Sequence, residues 1–253
     1  MNPTNKIKTM KTRKFFTLFL FVILFIGVSG IASACNMIAG VQGDGKVVRE
    51  TRVVSSFDGI DVSGAFQVFL RQGDIEGVVI EADENLQPII RAEVHGSTLV
   101  IDTKKPINHP SALKVYITFK DLKKAEVSGA VDIVTENKIT LSDFSLHTSG
   151  ASDVRMELTA QKLDLNSSGA SKLRLAGSAT DVSADLSGAC DIYGFDLVCE
   201  NFTVDLSGAG KAQIHVTKKI NAEISGAGNI RYKGNPTIIN QSVSGAGSIR
   251  HED

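Results

Sequence analysis

Apolar and polar residues alternate along most of this chain, and one tripeptide, Ser-Gly-Ala, sets the phase of the alternation. Its serines are Ser63, Ser128, Ser149, Ser168, Ser187, Ser207, Ser225 and Ser244. The residue before each serine is Val62, Val127, Thr148, Ser167, Leu186, Leu206, Ile224 or Val243, so mostly apolar. Five after the serine stand Val68, Ile133, Val154, Leu173, Ile192, Ala212, Ile230 and Ile249, all apolar. The positions on either side of that column are mainly polar, as in Asp153 with Arg155, Lys172 with Arg174 and Asn229 with Arg231. A period of two on both flanks predicts two strands per motif, each with one buried face. The glycine between them can adopt positive φ and so permits a corner. The residue two after serine is Ala in every copy, which predicts a tight corner that admits only a methyl group where neighbouring coils stack.

From Ser128 onward the serines recur at intervals of 21, 19, 19, 20, 18 and 19 residues. Repeats of this length that bury their apolar face only against their neighbours are the signature of a solenoid. Two to three short strands fill each interval and leave no room for a helix. The predicted fold is therefore an all-β, right-handed parallel β-helix of ~19-residue coils, about 30 Å long at ~4.8 Å per coil. The segment before it is less regular. "VVIEAD", "TLVIDT" and "LKVYITF" read as strands, "ENLQPII" as a turn or helical interruption and "KKPINHPSA" as a loop. The expected organisation is an export signal over 1–34, a linker over 35–46, an N-terminal β-region over 47–125 that caps the stack, and regular β-helix repeats over 126–253.

The stretch "FDGIDVSGAFQVFLRQGD", followed by "LKVYITF", "LKKAEVSGA" and the later Ser-Gly-Ala series, resembles the head GIN domain family, the auto-transporter adhesin-like exported proteins of Bacteroidetes. The resemblance runs over nearly all of residues 47–250. It implies a β-helix and an adhesin-like role, and it brings no catalytic motif.

Composition bears on the address. Lys6, Lys8, Lys11, Arg13 and Lys14 precede an apolar run from Phe15 to Val28, and Ala32-Ser33-Ala34 supplies the small residues of a cleavage site. Met10 is an alternative start to Met1. The run is shorter than the ~20 residues that span a bilayer, so it reads as an export signal rather than a retained helix. Cys35 follows directly. Ala-Ser-Ala suits ordinary signal peptidase, while small residues abutting a cysteine suit lipoprotein processing, and the odd count of three cysteines favours lipidation at Cys35. The expected place is the cell envelope, as an outer-membrane lipoprotein on the periplasmic face or at the cell surface. Residues 35–253 carry 22 Lys and Arg against 28 Asp and Glu, a formal charge of −6, which argues against nucleic acid as a partner. With no tryptophan and few aromatics, the core must come from Val, Ile, Leu and Ala.

Candidate chemistry is sparse. The serines lack the nucleophile-elbow pattern and a repeated base, so no catalytic residue is assigned, and a hydroxyl ladder between corners is expected. Two before serine, Asp185, Asp205 and Glu223 would line up at ~4.8 Å spacing, either as a solvated acidic face or as a weak cation column. Six after serine, Arg155, Arg174, Arg231 and Arg250 form a candidate binding column. Cys190 and Cys199 fit either a disulfide across one coil or two buried thiols. The five histidines show no metal-ligand spacing, and neither metal nor cofactor is implied. The functional expectation is a non-enzymatic lipoprotein, an adhesin-like binding or scaffolding module. Its partners would be the membrane through the lipid anchor, a glycan or protein ligand, and a second copy in a homo-oligomer. Alternatives are a polysaccharide-active β-helix enzyme with its site in residues 71–112, or a periplasmic envelope-stress accessory protein.

Overall fold

The computed structural model describes residues 40–253. The expected export signal and Cys35 lie outside the described residues. The described part is a β-solenoid of about seven turns with a less regular N-terminal region.

The Ser-Gly-Ala strands stack in parallel and in register. Gly59–Gly64 pairs with Lys124–Gly129, which pairs with the end of Ile139–Gly150, and the series continues through Asp153–Gly169, Lys172–Gly188, Asp191–Gly208, Lys211–Gly226 and Ile238–Gly245. Serine meets serine and glycine meets glycine at nearly every step. A second face forms in the same way from Gln67–Gln72, Asp132–Thr135 and the segments that begin at Asp153, Lys172, Asp191, Lys211, Asn229 and Ser248. The apolar columns on both sides of the motif point inward, as the alternation predicts: Val62, Leu186, Val68, Leu173 and Ile230 are all buried.

The corner is built differently from the expectation. The alanine column is exposed at Ala130, Ala151, Ala170 and Ala189, so a methyl limit there is not a packing requirement. The constraint falls on glycine. A Cβ on Gly150 would lie 2.5 Å from the Gly129 carbonyl oxygen, and one on Gly169 would lie 2.5 Å from that of Gly150. Each carbonyl is held in place, because the next alanine donates its N–H to it, Ala151 to Gly129 and Ala170 to Gly150, both at 2.8 Å. Gly150 and Gly169 also sit at φ +99° and +106°, where side chains are strained.

Inside the corner, the residue three after serine packs against the residue before serine in the preceding coil, and the two trade volume. Gly228 faces Leu206 and Gly247 faces Ile224, where a Cβ would collide with the larger side chain. Midway along the stack the same positions carry hydroxyls, which bond to one another away from water. Thr148 Oγ1 lies 2.7 Å from Ser167 Oγ and 3.2 Å from Ser171 Oγ, Ser152 donates to Ser171, and Ser167 Oγ lies 3.1 Å from Cys190 Sγ.

The N-terminal end is closed by antiparallel strands. Gly77–Asp83 pairs with Leu113–Phe119 and with Val47–Arg52, and Ile90–His95 pairs with Thr98–Thr103. "ENLQPI" forms a 3-10 turn, Glu84–Ile89, in which Leu86 and Gln87 are buried. Two polar hubs hold this end. Glu81 takes Arg49 at 2.6 Å and Lys114 at 3.0 Å, while fully buried Asp83 accepts N–H groups from Gly45 and Ser111, each at 2.7 Å. Asp83 therefore ties residues 41–46, expected as linker, into the fold, and Val41–Gln42 pairs with Ile107–Asn108 in the Pro-containing loop. Ser63 belongs to a regular coil, stacked directly on that of Ser128 although it lies 65 residues earlier in the chain.

Candidate functional site

The column six after serine runs up the second face as Phe69, Val134, Arg155, Arg174, Tyr193, Gln213, Arg231 and Arg250, and Tyr116 of Leu113–Phe119 extends it beside Phe69. The four arginines expected as one stripe are thus two adjacent pairs with Tyr193 and Gln213 between them. Three of the four reach a carboxylate: Arg155 and Arg174 share Asp153, at 3.1 and 2.5 Å, and Arg231 reaches Glu252 at 3.2 Å. What the sequence reading missed is the aromatic component. Phe69 stacks on Tyr116 with ring centroids 4.9 Å apart, and the Arg49 guanidinium lies 5.0 Å above Tyr116.

Register shifts within a strand pairing occur at one coil, that of Asp191–Gly208. Arg174 pairs with Tyr193 and Ala176 with Asp196, so Gly194 and Phe195 face a single residue of the preceding coil. On the other side, Gly194 pairs with Ile214 and Val198 with His215, which leaves three residues bulged between them. The bulge carries Phe195 out beside Tyr193, which is 38% exposed. Lys233 Nζ sits 4.9 Å over the Phe195 ring and the Arg174 guanidinium 5.4 Å over the Tyr193 ring. Together with Arg155 and Asp196 these groups line a groove of about 690 Å³. The 20-residue spacing from Ser187 to Ser207 was the only sequence sign of the bulge, and it is too small to read by itself. Bulges of this kind commonly re-aim side chains at sites.

The acidic column also forms as predicted in register, Asp185 beside Asp205 beside Glu223, with all three exposed. It is a line of carboxylates and not a cage: among the described residues no group of three His, Cys, Asp or Glu side chains could hold a metal ion. A shallow groove of about 500 Å³ overlies the other half of this column, from Asp61 and Glu126 through His147 and Asn166 to Asp185. Burial, then the neighbouring Glu126 and Asp102 charges, holds the Asp61 carboxyl above the ordinary aspartate range.

The serines do not form the expected ladder of hydroxyls. Ser187 and Ser207 donate weakly, at 3.5 Å, to carbonyls of the preceding coil, and among the described residues none of the eight bonds to a histidine or carboxylate. The disulfide between Cys190 and Cys199 is not formed; both thiols are free and buried. Each has its own partners, Cys190 at the Ser167 hydroxyl and the Ser187 carbonyl and Cys199 at the His215 carbonyl. Burial pushes the Cys199 thiol up to about 12.

The family described as "Putative auto-transporter adhesin, head GIN domain" matches residues 56–236, most of the chain. The chain belongs to the head GIN domain family. Solved structures agree with that assignment. A protein described as a putative adhesin from Bacteroides fragilis superposes with a TM-score of 0.78 at 26% identity, covering 84% of this chain and 100% of its own. Another so described, from Parabacteroides merdae, gives 0.66 at 25% identity over 85% of this chain and 100% of its own. A protein from Parabacteroides distasonis described as a putative lipid binding protein gives 0.69 at 21% identity, over 84% of this chain and 99% of its own, and so shares the fold. No curated protein matches. Among the described residues of this head GIN chain, no helix is long and apolar enough to cross a membrane.

Proposed function

We propose that this head GIN protein is a non-enzymatic, adhesin-like module of the cell envelope, tethered by lipid at Cys35, that holds a glycan in the groove beside the Tyr193–Phe195 bulge. The observation that carries the reading is the register shift within the strand pairings of this coil, which sets two aromatic rings among Arg155, Arg174 and Lys233. Saccharides offer apolar C–H faces to aromatic rings and hydroxyls to planar, charged hydrogen-bonding groups, and both are supplied here. Adhesin-like family members and structural relatives support the same broad role.

The enzyme reading places its site in residues 71–112, and three carboxylates there are engaged within the fold. Glu81 is held by Arg49 and Lys114, Asp83 by backbone N–H groups and Asp102 by Arg91. A catalyst needs a preorganised constellation aimed at the reacting atoms. These groups are aimed at their own scaffold.

The test is a polysaccharide array probed with the purified protein, scoring both retention and release of reducing ends. Combined Tyr193→Ala and Arg174→Ala should weaken retention by about 10-fold or more, while Lys138→Ala, on another part of the surface, should leave it unchanged. Release of reducing ends, or retention indifferent to the double change, sinks the proposal. The tether is tested separately: Cys35→Ser should move the protein from the membrane fraction to the soluble one.

A further inference from the structure

The two ends of the stack are finished differently. In the last coil, Ile239, Gln241 and Val243 continue the inward columns of Ile220, Ala222 and Ile224. The latter are at most 4% exposed, whereas Ile239 is 48% and Val243 45% exposed. Among the described residues, Ile238–Gly245 pairs on one side only, with the preceding coil.

The free side of this strand has a defined pattern of donors and acceptors. Through the stack, outward-facing residues send their N–H back to the preceding coil, as Asp153 does to Val131, Lys172 to Ser152 and Ser145 to Lys123. Inward-facing residues therefore direct theirs to the following coil. In the last coil those are Ile239, Gln241 and Val243, whose N–H and C=O groups point off the end.

We propose that this end is the contact between two copies of the chain, joined about a two-fold axis through Gln241. Antiparallel pairing centred there sets Ile239 opposite Val243 of the second copy and Gln241 opposite itself. About six N–H···O=C bonds form between directly opposed, hydrogen-bonded pairs. The same pairing continues the apolar interior across the joint, because all three residues face inward. No charged residue lies between Lys233 and Arg250, so the dyad brings no like charges together on this edge. Proteins that keep such an edge solitary place charges, prolines or bulges on it. This strand has none.

The other end cannot serve as the complement. Its outer strands are antiparallel and carry Arg49, Glu50 and Arg52 on one and Arg91 and Glu93 on the other. Head-to-tail stacking is therefore disfavoured, and the contact closes as a dimer. The proposal is independent of the glycan groove.

Sedimentation velocity of the purified protein over about 1–100 μM should show a monomer–dimer equilibrium. Gln241→Lys puts two ammonium groups face to face on the axis and should raise the dimer Kd by about 100-fold or more, with the circular dichroism of the monomer unchanged. Hydrogen-bonded antiparallel pairs have Cα atoms ~5.5 Å apart, within disulfide range. Gln241→Cys should therefore cross-link on oxidation, while Ser242→Cys, which faces Asn240 of the second copy, should not. A monomer at every concentration, species larger than a dimer, a Gln241→Lys dimer of unchanged affinity, or equal cross-linking of the two cysteine variants would each overturn it.

Discussion

Gly169→Ala, Gly208→Ala and Gly64→Ala add the same methyl group to the same corner of three coils, but the structure makes their costs different in kind. At Gly169 the new Cβ meets the Gly150 carbonyl oxygen at 2.5 Å, and the backbone is at φ +106°. The left-handed conformation costs an alanine roughly 1–2 kcal/mol. The carbonyl cannot retreat without stretching its 2.8 Å bond from Ala170, so loss of a ladder bond adds about 1–3 kcal/mol. At Gly208 only the collision with the Gly188 carbonyl operates, because φ lies outside the left-handed region. At Gly64 only the backbone strain operates, at φ +127°, since the nearest atom is a Phe66 ring carbon at 3.3 Å. The expected order in chemical denaturation is Gly169→Ala the most costly at about 2–5 kcal/mol, with Gly208→Ala at about 1–3 and Gly64→Ala at about 1–2. Ala170→Leu, on the exposed neighbouring column, should stay within about 0.5 kcal/mol. If Ala170→Leu destabilised as much as Gly169→Ala, the corner would be limited by alanine and the glycine argument would fail.

Two further outcomes follow from the packing and the polar hubs. Asp83, Glu81 and Asp58 all have carboxyls held below their ordinary range in the folded protein, Asp83 by N–H donors that outweigh its burial, Glu81 by Lys114 and Arg49, and Asp58 by Lys123 and Ser97. Their stabilisation is present above the unfolded-state value near 4 and is lost as pH falls through the lower folded values, so Asp83→Asn should reduce stability at pH 7 and flatten the acid limb of a denaturation-midpoint profile; an acid limb as steep as that of the unmodified chain would refute it. Gly228→Val should destabilise through its collision with Leu206, and Leu206→Ala in the same chain should recover part of the loss; strictly additive denaturation energies for the pair would refute the volume trade.

The repeat, the strands and the inward columns were legible in the sequence because they rest on period two and a fixed motif, which burial enforces at every coil. The strands "VVIEAD", "TLVIDT" and "LKVYITF" were readable for the same reason. The alanine corner was misjudged because invariance at two adjacent positions does not say which one is crowded; that depends on the direction of a carbonyl in the coil below. The arginine column was found, but Tyr193 and Phe195 were not, since a bulge is a relation between coils and leaves a one-residue trace in the spacing. The volume trade between Leu206 and Gly228 was equally hidden, being a contact at a separation of 22 residues that crosses the corner.

The chain of interior hydroxyls has a consequence for how the coils find their neighbours. Near-identical repeats invite stacking out of order, because omitting one coil preserves the strand ladder and the glycine contacts alike. Thr148, Ser152, Ser167 and Ser171 remove that degeneracy. If the Ser207 coil settled on the Ser168 coil, Gly210 would lie over Ser167 where Cys190 now sits. A hydroxyl would be sealed from water with one partner fewer, at a cost of about 1–3 kcal/mol. The cost would be met at every omitted-coil arrangement that separates these groups, whereas Val, Leu and Ile columns would slide past one another with little penalty. The polar segment of an otherwise oily interior thus numbers the coils.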